Sequence, residues 1–419
     1  MRFSQQGKGL IIFIAVLILF TLPHRVRSQY SDIQFLYPSK KSVTIPFRLI
    51  NNLIVIPLFI NDSDTLFFIF DTGISSAIMT ELSADEILSL NYARQIKLQG
   101  LGRGDPIDAL HSTGNNFLME GIVGFNQDLY ILTQNIFNLS TLLGTRIHGL
   151  IGYNLIRNFI TEINYEKKEI TFHDTASYTF PRTRRTQILP LALENSKPYI
   201  FGTLGLEGGV TLPVKLMVDL GASHALWIDQ YSDPRITLPA RTLPSFLGTG
   251  LSGEIYGTIG RVSSITLGRY TFRDVITAFP DSSSAGLIHG LDNRNGSIGT
   301  EIFRRFRVIL DYHNRKIGLI PNRHYSEYFK INMSGLEIEA VIPGLPVYQI
   351  SYVRRNSPAA RAGLRRGDQI ISINNKDAFS LNINRIYEIF EGSPGKKIRM
   401  VVKRSGQRFK TVFYLEDWI

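Results

Sequence analysis

Two aspartates with the same local setting are the residues of this sequence best suited to do chemistry. Asp71 and Asp219 each follow a short apolar run, and each is followed by a glycine two positions later. A strand end among apolar neighbours desolvates a carboxylate, and glycine lets two backbones approach closely. Two carboxylates that meet cannot both ionise, so one acts as general base on a water while its protonated partner polarises a scissile carbonyl. The two segments are Leu66–Gly73 and Leu216–Gly221.

An internal repeat puts the two aspartates in equivalent positions. His148–Gly152 aligns with Asn295–Gly299 at an offset of 147 residues, and the aspartate segments align at an offset of 148. This predicts two similar lobes, residues 29–180 (lobe 1) and 181–329 (lobe 2), facing each other across a pseudo-twofold axis. Because one chain supplies both aspartates, a monomer is sufficient for catalysis. Further matched pairs are Leu155 with Ile302, Arg157 with Arg304, Phe159 with Phe306, Tyr165 with Tyr312, and Ile170 with Ile317.

The elements that must position the aspartates are strands. Within each lobe the segments are short, rich in β-branched and aromatic residues, and bounded by Gly, Asn and Asp, which favours strands and hairpins. Ile160–Phe172 and Val308–Ile320 alternate apolar and polar residues across a turn, so we expect a β-hairpin in each. The sequence therefore predicts a mainly β fold of two lobes.

At these positions the sequence resembles the aspartic protease superfamily, and more closely its retropepsin-like branch than pepsin. The resemblance covers about residues 40–322. The matching segments are Phe70–Gly73 and Leu150–Gly152 in lobe 1, and Val218–Ala222 and Ser297–Gly299 in lobe 2.

The resemblance implies an aspartic endopeptidase that acts on polypeptides and needs no cofactor. It implies that Asp71 and Asp219 are catalytic, and that β-hairpin flaps within Gln99–Gly124 and Gly248–Gly260 close over an extended peptide. It further implies residues that support the active-site loops, namely Thr72, Gly73 and Gly221.

One departure from the family leaves a rival function open. The family has a hydroxyl residue directly after each aspartate; Thr72 fits and Leu220 does not. The second lobe thus loses half of an interlocking pair, and Ile74 removes a further hydroxyl that pepsin-like members carry. The alternative is a non-catalytic peptide-binding protein with a degenerate cleft, and a third class is a structural scaffold of the cell envelope.

Two other motifs predict little. Gly248–Gly253 satisfies G-x-G-x-x-G, but no amphipathic helix follows it, which argues against a dinucleotide site. Ser223 and His224 near Asp219 suggest a catalytic triad, yet adjacent residues of a strand point to opposite faces. With no cysteine and only eight histidines, none of them in an HExxH motif, a metal site is not indicated.

The last 90 residues have a pattern of their own. From about Ile331 strands alternate with two helical stretches, and Ser357–Asn374 resembles a PDZ domain, which we place at residues 330–419. Such domains bind peptide C-termini by strand addition, with backbone amides of a loop holding the carboxylate. The resemblance places this peptide-binding loop at Gly344, Leu345, Val347 and Tyr348, where Pro346 removes one amide donor.

The net charge of +11 separates the chain into three parts. Residues 1–28 contain four basic and no acidic groups, residues 29–329 contain 27 of each, and residues 330–419 contain 15 basic and 8 acidic groups. The balanced body argues against nucleic-acid binding. Leu10–Leu22 is an apolar run of 13 residues behind Arg2 and Lys8, as in a signal peptide cleaved near Gln29.

The alternative for this leader is a retained signal anchor, because basic residues follow the apolar run. In both cases we expect the rest of the chain outside the cytoplasm. The combination of modules favours a bacterial periplasm, envelope or secreted protein, with membrane contact only through a retained anchor.

Overall fold

The fold is mainly β, as predicted. A computed structural model describes residues 33–83, 86–98, 106–250, 253–282 and 293–419. The predicted signal peptide, residues 1–28, lies outside the described residues. In the described ranges no helix has both the length and the apolar character needed to cross a bilayer.

Lobe 1 is built around a nine-stranded sheet in the order β1-β9-β6-β10-β5-β4-β8-β7, with β3 beside β4. Strands β4 and β5 are buried almost throughout, which suits their sequences, LIVIPLFI and LFFIF, in which Pro57 is the one residue other than Ile, Leu, Val and Phe. The elements of this part of the chain are β1 (Ile33–Phe35), β2 (Ser42–Pro46), β3 (Arg48–Ile50), β4 (Leu53–Ile60), β5 (Leu66–Phe70), β6 (Ala77–Met79), β7 (Ala93–Leu98), β8 (Ile107–Met119), β9 (Ile122–Leu132), α1 (Leu139–Leu143), β10 (Gly149–Ile151), α2 (Tyr153–Ile156), β11 (Ile160–Asn164) and β12 (Glu169–His173).

Lobe 2 repeats this plan in an eight-stranded sheet of order β14-β15-β16-β21-β17-β20-β19-β18. A short 3₁₀ turn at Glu207–Gly209 joins β15 to β16. The elements are β13 (Gln187–Pro190), β14 (Ala192–Glu194), β15 (Lys197–Gly205), β16 (Thr211–Asp219), β17 (Leu226–Ile228), β18 (Thr242–Gly250), β19 (Gly253–Leu267), β20 (Tyr270–Pro280), β21 (Gly296–Gly299), α3 (Thr300–Phe303), β22 (Phe306–Asp311) and β23 (Lys316–Pro321).

The two lobe sheets have the same topology. In lobe 1, β10 runs parallel to β5 and antiparallel to β6, which is parallel to β9. In lobe 2, β21 runs parallel to β16 and antiparallel to β17, which is parallel to β20. The repeat seen in the sequence is therefore a repeat of strand order and direction.

A third sheet joins the two lobes. Its order is β13-β23-β22-β11-β12-β2, and β11 of lobe 1 pairs antiparallel with β22 of lobe 2, with Ile163 opposite Val308. The two hairpins predicted from alternation are present as β11–β12 and β22–β23. Because the inner residues of all these strands are buried, the lobes share one apolar core.

The C-terminal part is a separate sheet with two helices. The strand order is β24-β25-β26-β28-β29, so β24 is an edge strand. Helix α4 begins at the predicted cap, where the Ser357 hydroxyl accepts from the Ala360 N–H. Helix α5 buries its apolar face on this sheet. The elements are β24 (Leu336–Ala340), β25 (Tyr348–Val353), α4 (Pro358–Arg361), β26 (Gln369–Ile373), β27 (Lys376–Asp377), a 3₁₀ turn (Ala378–Ser380), α5 (Ile383–Phe390), β28 (Lys397–Arg404) and β29 (Gln407–Tyr414).

Candidate active site and peptide groove

The two predicted aspartates lie at equivalent strand ends. Asp71 follows β5, and its N–H donates to the carbonyl of Ile151 at the end of β10 (2.9 Å). Asp219 is the last residue of β16 and pairs with Gly299 at the end of β21. Because parallel strands end at the same edge of a sheet, each aspartate lies at that edge beside a strand that contains glycine, β10 for Asp71 and β21 for Asp219.

Glycine geometry shows how closely the two loops approach. A Cβ placed on Gly221 of lobe 2 would lie 2.3 Å from Cγ of Asp71, so no larger residue fits there. A Cβ placed on Gly73 would lie 3.1 Å from Oδ1 of Asp71 and 3.8 Å from Oδ1 of Asp219. One point beside Gly73 is therefore in contact with both carboxylates, and the structure brings all four residues together.

Thr72 ties the two loops with one hydroxyl. It is fully buried, donates to the carbonyl of Val218 (2.6 Å) and accepts from the N–H of Leu220 (3.0 Å). Leu220 is also fully buried and has no hydroxyl to return, so the interlock is one-sided, as the sequence indicated. Thr300 of α3, which the sequence analysis did not identify, donates to the Leu220 carbonyl (3.2 Å) and supports this loop from behind.

The surroundings of the two carboxylates affect their pKa values differently. Burial is the largest cause and repulsion from Asp219 the second, and together they raise the pKa of Asp71 to about 7. The hydrogen bond from the Gly73 N–H acts in the opposite direction. Burial also raises the pKa of Asp219, but the charges of Arg294 and Lys197 oppose that shift. Of the two, Asp71 is the better holder of a shared proton.

The neighbouring Ser223 and His224 do not form a triad. Burial lowers the pKa of His224 to about 4, which keeps the ring neutral. Its Nε2 lies 3.2 Å from the hydroxyl of Ser297, and its ring stands 5.7 Å from that of Trp227. Among the hydrogen bonds of the described residues, the His224 side chain is joined to Ser297 and not to Ser223 or Asp219.

A cavity of about 280 Å³ opens beside Asp219. One wall is the β18–β19 hairpin, including Leu247–Gly250 and Ile255, within the predicted flap; residues 251–252 lie outside the described ranges, as do residues 99–105 of the lobe 1 flap. The described residues of the G-x-G-x-x-G motif, 248–250 and 253, lie in strands β18 and β19. The opposite wall includes Met217, Trp227 and Arg294.

In the C-terminal domain the exposed pairing edge belongs to β24. Strand β25 is flanked by β24 on one side and β26 on the other, so of these two hairpin strands only β24 lies at an edge of the sheet, and α5 lies beside it. The N–H of Ile338 in β24 reaches the hydroxyl of Tyr387 in α5 (3.4 Å). The segment leading into this edge is residues 332–335, where Asn332 and Ser334 bond to the backbone of Leu336.

The predicted carboxylate-binding loop lies at the opposite end of β24 from residues 332–335. Residues 341–347 form the turn of the β24–β25 hairpin, and Tyr348 begins the inner strand β25. Sequence alone did not tell which of the two hairpin strands would be the edge. The three predicted amide donors are each already bonded: Gly344 to the carbonyl of Gly144 (3.3 Å), Leu345 to Ile342 (3.0 Å) and Val347 to Leu345 (2.8 Å).

Comparison with known proteins concerns the C-terminal domain. Residues 349–404 match the family described as PDZ domain. Over 80 residues the chain is 36% identical to Syntenin-2 of Mus musculus, a match covering 19% of this chain and 26% of that protein. Over 52 residues it is 35% identical to the carboxy-terminal processing protease CtpA of Bacillus subtilis (strain 168), a match covering 12% of this chain and 11% of that protein. The chain therefore carries a C-terminal PDZ domain, and its matches span about a quarter of those curated relatives or less.

Proposed function

We propose that the protein is an aspartic-type endopeptidase whose PDZ domain binds peptides or protein C-termini. The observation that carries the proposal is the contact between the two aspartate loops across the lobes, tied by Thr72 and permitted by Gly221. The PDZ domain and the similarity of a short stretch to a processing protease support a function on polypeptides.

The pKa shifts of the two carboxylates support the following division of roles. Asp71 holds the proton and donates it to the carbonyl oxygen of the scissile bond, while ionised Asp219 removes a proton from the attacking water. The water oxygen bonds to the carbonyl carbon. The C–N bond then breaks, the amine leaves with the proton from Asp219, and Asp71 recovers its proton from the hydroxyl. The cavity beside Asp219 receives a substrate side chain next to this bond.

A PDZ peptide would add to the free edge of β24, between that strand and α5. Residues 332–335, which lead into the edge, are the proposed carboxylate loop. The apolar leader supports export of the chain, and we propose that both sites work outside the cytoplasm.

The test is hydrolysis of an unfolded protein by the purified protein. We expect Asp71→Asn and Asp219→Asn each to reduce the rate by at least about a thousandfold, because each removes one partner of the proton exchange. Asp64→Asn changes an exposed carboxylate and is the matched control. Undiminished hydrolysis in either dyad variant would exclude the mechanism.

The one-sided interlock at Leu220 favours a second function, a peptide-binding protein without hydrolysis. It predicts that the unmodified protein and Asp71→Asn bind an unfolded polypeptide equally and that neither cleaves it.

A further inference from the structure

Helix α5 of the PDZ domain holds a turn of lobe 1. The side-chain oxygen of Asn384 accepts from the Asn51 N–H (2.8 Å), and its amide nitrogen donates to the Leu49 carbonyl (3.0 Å). Asn51 and Asn52 form the β3–β4 turn and both have positive φ angles, 46° and 63°. Asparagine tolerates positive φ angles, so the conformation of the turn follows from its own residues. The two hydrogen bonds of Asn384 fix where the turn lies.

The same turn reaches the active-site loop of lobe 2. The side-chain amide of Asn52 donates to the Ser223 carbonyl (3.3 Å) and to a carboxylate oxygen of Glu301 (2.8 Å). Ser223 is two residues beyond Gly221, and Glu301 follows Thr300, which bonds to Leu220. Asn52 therefore steadies the loop that carries Asp219.

The support is present on one side of the pseudo-twofold only. The corresponding turn of lobe 2, Asn195 and Ser196 between β14 and β15, has matching positive φ angles of 49° and 65°. Among the hydrogen bonds of the described residues, none joins that turn to the PDZ domain. Since the two lobes share the same turn but, in the described ranges, only the lobe 1 turn hydrogen-bonds to the PDZ domain, the lobe fold alone does not produce the contact with Asn384.

The peptide groove is closed in this arrangement. The Tyr387 hydroxyl accepts from the Ile338 N–H and donates to the half-buried Glu337 (3.1 Å), so the edge N–H that an added strand needs is occupied. Tyr387 lies one helical turn beyond Asn384 on α5. An incoming peptide has to displace Tyr387, and with it the helix that holds the turn.

We infer that the PDZ groove is coupled to the active-site loop of lobe 2 through α5 and the Asn51–Asn52 turn. A peptide that opens the groove moves α5, releases Asn384 from the turn and withdraws Asn52 from Ser223. Asn52 is thus a positioning residue, the docked state is the active one, and groove occupancy lowers activity. A cavity of about 500 Å³ between α5, this turn and lobe 2 leaves room for the movement. The effect on hydrolysis rests on the proposed function, whereas the coupling itself does not.

Amide hydrogen exchange of the full chain tests the coupling without requiring hydrolysis. We expect Asn384→Ala to accelerate exchange in residues 219–226 about fivefold, since loss of one hydrogen bond has about that effect on a local opening. Arg385→Ala, at the next position of α5 with a side chain that pairs with Glu388, is the matched control and leaves this segment unchanged. Unchanged exchange in β28 and β29 shows that the PDZ domain of each variant is folded.

A double-mutant cycle separates coupling from a general loss of stability. We expect Asn52→Ala to accelerate the same segment, and Asn52→Ala with Asn384→Ala to add no more, since both break one connection. Faster exchange at residues 48–54 without any change at 219–226 in Asn384→Ala would overturn the inference, as would additive effects in the cycle. If the protein proves inactive but the cycle is non-additive, the proposed hydrolysis fails and the coupling stands.

If the protein proves to be active, the same variants should affect kcat and KM unequally. Asn384→Ala and Asn52→Ala lower kcat about fivefold with a smaller change in KM, because they disturb the loop that carries Asp219 and leave the hairpin wall of the cavity, Leu247–Gly250 and Ile255, in place.

Discussion

At the scale of single residues, the Thr72 hydroxyl alone supplies the side-chain hydrogen bonds that the described residues form between the two aspartate loops. In a symmetrical pair of loops, a hydroxyl at position 220 would supply half of them. The Thr72 side chain is fully buried and contacts backbone groups on both sides of Asp219. Leu220 fills the place of the second hydroxyl with an apolar side chain in the core. The lobe 2 loop compensates through Thr300, which bonds to the Leu220 carbonyl.

This arrangement makes Thr72 sensitive to substitution. We expect Thr72→Val to lower the free energy of unfolding by about 2–3 kcal/mol, because it leaves the Leu220 N–H and the Val218 carbonyl buried without a partner. Thr72→Ser keeps the hydroxyl and is the matched control. Urea unfolding of the three proteins measures the difference, and an equal effect of both substitutions would contradict the interpretation.

The aspartate pair also predicts a pH dependence. Asp71 keeps its proton up to about pH 7 in the folded protein but only to about pH 4 in the unfolded chain. Between these values the folded state binds more protons, so the free energy of unfolding falls as pH rises. The proposed hydrolysis needs that proton, so its rate should likewise decline as pH rises through about 7.

Asp71→Asn removes the titrating group and isolates its contribution. We expect the difference in unfolding free energy between Asp71→Asn and the unmodified protein to grow from pH 4 to pH 7, in favour of the variant. Urea titrations at several pH values provide the measurement. A difference that stays constant with pH would show that Asp71 titrates normally.

At the scale of elements, the relation between β24 and α5 decides how the PDZ domain meets a peptide. The Tyr387 hydroxyl occupies the Ile338 N–H, so the edge strand is capped by the helix beside it. Residues of α1 and Gly144 in lobe 1 pack near the same hairpin, with the Gly144 carbonyl accepting from Gly344. A peptide can therefore enter the groove between β24 and α5 only when these contacts break.

Tyr387→Phe should make the edge available. It removes the hydroxyl that caps Ile338, and we expect a peptide with a free C-terminus and an apolar last residue to bind about fivefold more tightly. Fluorescence anisotropy of a labelled pentapeptide library with the full chain measures this. Tyr352→Phe, an exposed tyrosine on β25, is the control, and weaker binding by Tyr387→Phe would place the peptide elsewhere.

At the scale of the whole molecule, the shared sheet makes the two lobes one folding unit. Ile163 of β11 and Val308 of β22 face each other across the lobe boundary and both are fully buried. Two lobes that share a core cannot shift freely against each other, which suits a site assembled from one aspartate of each.

A substitution at this boundary should therefore affect both lobes together. We expect Ile163→Ala to cost about 2–4 kcal/mol, the usual range for such a cavity, and to shift a single unfolding transition of the lobes. Thr171→Ala, on the partly exposed side of β12, is the control. Calorimetry and tryptophan fluorescence measure it, and separate transitions for the lobes would contradict this account.

Local pattern was enough to predict the mainly β fold, the repeat, the two aspartate loops and the one-sided interlock. Asp71, Thr72 and Gly73 stand together in one short segment that the second lobe repeats, so spacing and repetition pointed to them, although their contacts with Val218 and Leu220 span 146 and 148 positions. Strand periodicity likewise located the hairpins β11–β12 and β22–β23.

Other features were decided only by the tertiary structure. The edge strand of the PDZ domain, the support of Leu220 by Thr300 and the chain of contacts from Asn384 to Ser223 join residues 80 or more positions apart, or depend on which side of a strand is covered. Spacing carries no record of such contacts, because packing of whole sheets brings these groups together. The sequence by itself thus determined which residues could do chemistry, and the packed lobes decided what holds them in place.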